Sequence, residues 1–185
     1  MHDLGSITLL SRLARACALP VLLVAPAWSD TGNVTPHGFV SIFRDEVKAP
    51  LPQLWQAVLQ LPRWWNNQHT YSGQASNMSL DAQAGGCWCE RWGDGQSVEH
   101  GHVVLLQPGR ALRLYGNLGP LQELPVQGVL TFTMAMQEEK TILRMTYRVG
   151  GPSDVGLDKL APIVDQVIGE QFKRLKLFAE TGKPE

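Results

Sequence analysis

From Leu157 to Thr181, apolar residues recur at Leu160, Ile163, Val164, Val167, Ile168, Phe172, Leu175 and Phe178. A spacing of three and four lays them along one face of an α-helix. Asp165, Glu170, Lys173, Lys176 and Glu180 fall mostly on the other face. Asp158 is placed to cap the start, Pro162 is tolerated only within the first turn, and Gly182 followed by Pro184 marks the stop. At 1.5 Å per residue this helix runs roughly 35 Å. Another short helix is too small to cover it, so it needs a broad apolar surface.

The residues before it supply one. Strand-like stretches occur at 39–47, 78–82, 86–92, 97–106, 110–115, 126–136 and 141–149. Pro50 and Pro52 end the first; Leu54, Trp55, Val58 and Leu59 mark a short helix, and Pro62 opens a second carrying Trp64 and Trp65. Adjacent residues on a helix point in different directions, so those two tryptophans are not both expected to be buried. Residues 30–36 are polar and read as a loose lead-in, residues 69–77 as a loop.

Turn residues set the register. Asp94-Gly95 suits a two-residue turn, which places Glu90 opposite Glu99, Cys89 opposite His100 and Cys87 opposite His102. Pro108-Gly109 pairs Leu105 with Leu112 and Val103 with Leu114. A hairpin at 137–140 pairs Met134 with Leu143, Phe132 with Met145 and Leu130 with Tyr147. The pairings are antiparallel and sequential, a meander. The expected class is α+β: about seven curved antiparallel strands around the long C-terminal helix, with two short helices after the first strand.

The first residues stand apart from this pattern. Arg12 and Arg15 precede a short apolar run, 16–24, followed by small residues at Ala25 and Ala27, with Ser29 as another cleavage position. This is the order of a secretory signal peptide over residues 1–29, leaving 30–185 as one domain in a periplasmic or secreted setting. The apolar run is too short to span a bilayer, and no other run is long enough, so no stable membrane span is expected after cleavage. A formal charge of −1 and pI near 6.5 give no electrostatic case for nucleic acid.

The order of elements resembles the helix-grip fold of the START-like (SRPBCC) superfamily, which includes Bet v 1-like, polyketide cyclase/dehydrase-like and activator-of-Hsp90-ATPase-like proteins. The resemblance is carried by Ala49-Pro50 with Leu54-Trp55, Trp64-Trp65, the run Gly85-Gly86-Cys87-Trp88-Cys89-Glu90, Gly101, Pro108 and the final helix. It implies a small hydrophobic or amphipathic ligand held between sheet and helix, and in some members catalysis there. A signal peptide departs from a cytosolic Hsp90-cochaperone role.

Alternation puts Trp88, Glu90, Trp92 and Glu99 on the face of Val103 and Leu114, the face toward the helix. The expected ligand-binding residues are Trp64, Trp65, Tyr71, Trp88, Trp92, Val103, Leu114 and Phe132. Glu90 and Glu99 would form a coupled pair with at least one raised pKa, able to act as general acid or base in a cyclase- or dehydratase-like enzyme. A bulge turning one of them outward is the competing possibility. Cys87, Cys89, His100 and His102 fall together on the opposite face, a candidate metal or thiol site, with a Cys87–Cys89 disulfide as the competing fate. No nucleophile elbow, P-loop or dinucleotide fingerprint is present, and no cofactor is expected. A protein-interaction module with a filled core is a further alternative. The sequence leaves oligomeric state open.

Overall fold

The computed structural model describes residues 28–185; all of the expected signal peptide but Trp28 and Ser29 lies outside them. The elements are β1 (Trp28–Thr35), β2 (Gly38–Val47), α1 (Leu51–Leu59), α2 (Leu61–Trp64), β3 (Met78–Leu80), β4 (Cys87–Trp92), β5 (Gln96–Gln107), β6 (Ala111–Tyr115), β7 (Gln127–Gln137), β8 (Lys140–Gly150) and α3 (Leu157–Thr181). Eight strands form one sheet in the order β1-β2-β8-β7-β6-β5-β4-β3. Every neighbouring pair is antiparallel. From β3 to β8 the sheet is the expected meander, and β2 closes it by pairing with β8. This is the helix-grip architecture.

β1 is the strand the apolar pattern missed. Residues 30–36 read as a loose lead-in, yet Trp28 to Gly32 pair with Arg44 to Val40. A polar edge strand is held by backbone hydrogen bonds to a neighbour that already exists, so it needs no apolar alternation of its own.

The long helix lies against the sheet. Leu157, Ala161, Ile168, Phe172, Leu175 and Phe178 are buried on its inner face. Phe172 stacks on Phe43 of β2 with ring centroids 5.7 Å apart. Gly169 makes the close approach possible, because a Cβ there would stand 2.9 Å from the Phe43 ring. Gly182, at φ 78°, ends the helix as expected, its amide donating to Phe178 O at 2.8 Å. Two details differ from the sequence reading. The N-cap is Gly156, with no side-chain cap bond from Asp158, and Ile163 is exposed, beside the Pro162 that occupies the opening turns.

Trp64 and Trp65 are both buried, against expectation. The reason is local: α2 has four residues, and Trp65 is its C-cap in extended backbone, so the two indoles do not follow helical directions. Trp64 Nε1 donates to Ala57 O at 2.8 Å and Trp65 Nε1 to His69 O at 2.9 Å. Gln171, fully buried on α3, accepts from the Asn66 amide at 2.9 Å. Arg174 Nε donates to Trp64 O at 2.8 Å. These bonds tie the segment after α2 to the long helix.

Two hairpins share one irregularity. The β4–β5 turn holds three residues, Gly93 to Gly95, so Cys89 faces Glu99 and Glu90 faces Val98; a bulge at His100 then restores Cys87 opposite His102. The β5–β6 turn, 108–110, pairs Gln107 with Ala111, and a bulge at Val104 restores Val103 opposite Leu114. An extra loop residue and an extra strand residue cancel, so the far ends keep the expected register while the middle slips. The β7–β8 pairs agree with the sequence reading throughout.

Candidate functional site

The first bulge decides where the chemistry lies. A bulged residue is re-aimed relative to its strand, and here that residue is His100. Its ring enters the core, 4% exposed, and stacks on Trp88 with centroids 5.0 Å apart. His100 Nε2 is 2.9 Å from Glu90 Oε2, and Glu90 is wholly buried.

Glu90 is held from two more directions. The amide of Tyr71 donates to Oε2 at 3.1 Å and the amide of Ser72 to Oε1 at 2.6 Å. The polar loop after α2 thus folds over the carboxylate and points its backbone donors at it. Burial pushes the carboxyl pKa up, but the hydrogen bonds from Ser72, Tyr71 and His100 outweigh it, and the net shift is downward. Glu90 is therefore a buried anion. His100 shifts down as well: burial disfavours imidazolium more strongly than the Glu90 carboxylate favours it. The result is a neutral imidazole beside a carboxylate. That partner selects the tautomer with hydrogen on Nε2, which leaves the lone pair on Nδ1.

A pocket of about 300 Å³ opens beside this pair, lined by Glu99, His100, Gly101, His102, Tyr115, Gly116, Asn117 and Gln122. It forms where β6 ends at Tyr115 and leaves the edge of β5 without a strand partner. Gln122 reaches across, its Nε2 donating to Glu99 O at 2.8 Å. Gly116 makes the floor close: a Cβ there would lie 2.2 Å from His100 O. The Tyr71 hydroxyl is within hydrogen-bond reach of Gly119 O (3.1 Å) and Gln122 Oε1 (3.2 Å). Its ring lies 5.8 Å from that of His100.

The predicted site residues divide accordingly. Glu90 faces inward as expected, but Glu99 does not join it. The three-residue turn moves Glu99 opposite Cys89, on the solvent face, where it meets His102 Nδ1 at 2.8 Å. The coupled glutamate pair is thus replaced by a glutamate–histidine pair, and Glu90 is shifted down rather than up. Trp64, Trp65, Trp88, Val103, Leu114 and Phe132 are all buried in the core cluster. Trp65 meets Trp88 edge-on at 4.9 Å and Trp64 meets Phe132 at 6.1 Å, so these rings pack against one another. Tyr71 stands at the pocket side, and Trp92 sits at the hairpin end opposite Gln96.

The four-residue metal set does not assemble either. Cys87 and Cys89 are joined in a disulfide and His100 has turned inward, leaving His102 alone with them on the outer face. Among the described residues no group of three or more metal-ligating side chains converges. The competing possibility, a bulge that turns one glutamate outward, is the outcome for Glu99; two-residue hairpin counting did not show that the same bulge brings His100 inward to Glu90. The signal available was chemical: two acidic residues directly opposite on a strand pair are unfavourable, and a slip relieves them.

Solved structures share this fold. CalU16 from Micromonospora echinospora is similar at 16% identity with a TM-score of 0.58, over 87% of this chain and 88% of that one. The protein MLL2253 from Mesorhizobium loti gives 19% identity and 0.54, over 74% and 93%. The Aha1 dimer from Colwellia psychrerythraea gives 19% and 0.51, over 78% and 98%. No family model and no curated protein matches the sequence. What these structures share with this chain is the fold, a curved antiparallel sheet around a long C-terminal helix.

Proposed function

We propose that this chain is an exported small-molecule-binding protein whose ligand places a polar group in the pocket over His100. One observation carries the reading. The β5 bulge turns the His100 ring inward onto an ionised, fully buried Glu90, and His100 is also one of the residues that line the pocket. A buried charge is expensive unless paired, and this one is kept where it orients a histidine beside an open, polar pocket. The apolar part of an amphipathic ligand would lie toward Tyr71 and Tyr115. Export is supported by the signal-like order of residues 1–29, and a disulfide at Cys87–Cys89 belongs to an oxidising compartment.

The same pair favours a second reading, an enzyme of the cyclase or dehydratase kind. A neutral histidine oriented by a carboxylate is a general base, taking a proton at Nδ1 while Glu90 stabilises the imidazolium that forms. In that case His100, and not Glu90 or Glu99, exchanges the proton with substrate.

The test is native mass spectrometry of protein purified from its own compartment, with extraction of bound small molecules. A defined ligand retained by the wild type and lost in His100→Ala, with the fold preserved by circular dichroism, supports the assignment. Equal retention by both proteins overturns it. N-terminal sequencing that begins upstream of Ala25 would remove export.

A further inference from the structure

The outer face of β4 holds a second chemical feature, separate from the Glu90–His100 pair. Cys87 and Cys89 are two residues apart on one strand and joined to each other. Their side chains lie on the face away from Trp88 and Glu90, and both are partly exposed. We propose that this disulfide is a redox-active site that exchanges with low-molecular-weight thiols, with His102 carrying the proton.

Three observations point there. First, the bridge is poorly suited to a structural role. A disulfide stabilises mainly by constraining the unfolded chain, and the constraint is least for the shortest loops; this one closes a loop with a sequence separation of 2. Second, it puckers its strand. The two Cα atoms are 5.4 Å apart, whereas two steps of extended strand cover about 6.6 Å. The pucker falls where the β4–β5 ladder is already interrupted, between Trp88 and Cys89. Third, the residues opposite are those the chemistry needs. His102 faces Cys87 and Glu99 faces Cys89 across the strand pair. Glu99 Oε1 is 2.8 Å from His102 Nδ1, leaving Nε2 as the proton-exchanging nitrogen. Both residues also line the pocket.

The exchange proceeds in two displacements. A thiolate attacks one cysteine sulfur, forms a mixed disulfide and breaks the Cys87–Cys89 bond. The released cysteine thiolate takes a proton delivered through His102. A second thiolate then attacks the sulfur of the bound thiol, releasing a small-molecule disulfide and the other cysteine as thiolate, which is protonated in turn. Two electrons pass from two thiols to the protein. The reverse sequence, with a small-molecule disulfide as oxidant, restores the bridge.

The experiment uses the full-length protein purified under acid quench, equilibrated with glutathione and glutathione disulfide over a range of ratios. Free thiols are counted by alkylation and intact mass. The expected result is an oxidised protein that converts to the dithiol, under native conditions, at ratios spanning ordinary secretory environments. In the same titration Cys87→Ser should carry one glutathione as a mixed disulfide on Cys89. His102→Gln should slow reduction about tenfold or more while leaving the equilibrium ratio unchanged. The urea midpoint should be the same for oxidised and reduced protein. A pair that stays fully oxidised in excess glutathione until the protein unfolds, or that is found as free thiols in the quenched native protein, overturns the proposal. An unchanged rate in His102→Gln overturns the histidine's part in it.

Discussion

His100 Nε2 meets Glu90 Oε2 at 2.9 Å inside the protein, while Glu99, the residue just before His100, projects to solvent. The two glutamates, expected to act together, should therefore behave differently when neutralised. Glu90→Ala leaves the Tyr71 and Ser72 amides and the neutral His100 ring without their acceptor, and should cost about 2–4 kcal/mol. Glu90→Gln keeps one acceptor oxygen but turns an amide N–H₂ toward donors, for about 1–3 kcal/mol. Glu99→Gln should fall within about 0.5 kcal/mol of wild type. Urea unfolding with a shared m-value checks all three, and equal losses at the two glutamates would contradict the register.

The same pair sets a pH response. His100 has a folded-state pKa below its ordinary 6.5, so the unfolded chain binds the proton first. Its stabilisation is fully present above that value and is lost as pH falls from there through the folded pKa. Glu90 is depressed below 4.5, as is the partly exposed Glu180, so a second loss follows in the acid range. Unfolding free energy measured from pH 8 to pH 3 should decline in two stages. The upper stage, with a slope of at most about 1.4 kcal/mol per pH unit for one proton, should vanish in His100→Gln. Its persistence there would assign it to another group.

How much of this was legible beforehand follows from where parity holds. The long helix, the β7–β8 pairing and the far ends of both bulged hairpins could be read from alternation and turn residues, since loop and bulge irregularities cancel there. Between turn and bulge they do not cancel, and that interval contains Glu90, Glu99 and His100. The inward direction of Glu90 survived because it lies on β4, which carries no extra residue. His100 and Glu99 lie on the strand that does, and there the reading inverted. The filling of the interior by Trp64, Trp65 and Trp88 was hidden for another reason: it depends on where α2 ends, and helix ends are weakly encoded.

Two buried tryptophans should respond unequally to loss of the indole nitrogen. Trp64 Nε1 donates to Ala57 O at 2.8 Å, whereas Trp88 Nε1 is buried with no hydrogen-bond partner among the described residues. Trp64→Phe abandons a carbonyl as well as removing volume. Trp88→Phe removes a donor that was already unsatisfied and keeps an aromatic ring against His100. Trp64→Phe should be the more destabilising by about 1–2 kcal/mol. Thermal and urea unfolding of the two single variants decide it, and the reverse order would show that Trp88 has a partner.

The pocket floor gives the last prediction. Gly116 follows β6 where the chain passes beneath the bulge, and a Cβ on it would lie 2.2 Å from His100 O and 2.5 Å from Gly101 Cα. Both neighbours are backbone, so neither can rotate away; the ladder itself has to shift. Gly116→Ala should therefore destabilise by about 1–3 kcal/mol and should also displace His100 from Glu90, moving the His100 ring resonances in NMR. Gly150 is the control, a strand glycine whose Cβ would meet only His37 O at 3.8 Å. Gly150→Ala should be neutral or stabilising by up to about 1 kcal/mol, because it narrows the unfolded ensemble without a clash. If Gly116→Ala matched Gly150→Ala in stability and left the histidine signals in place, the close contact between the pocket floor and the bulge would be wrong, and with it the account of how His100 is held at the pocket.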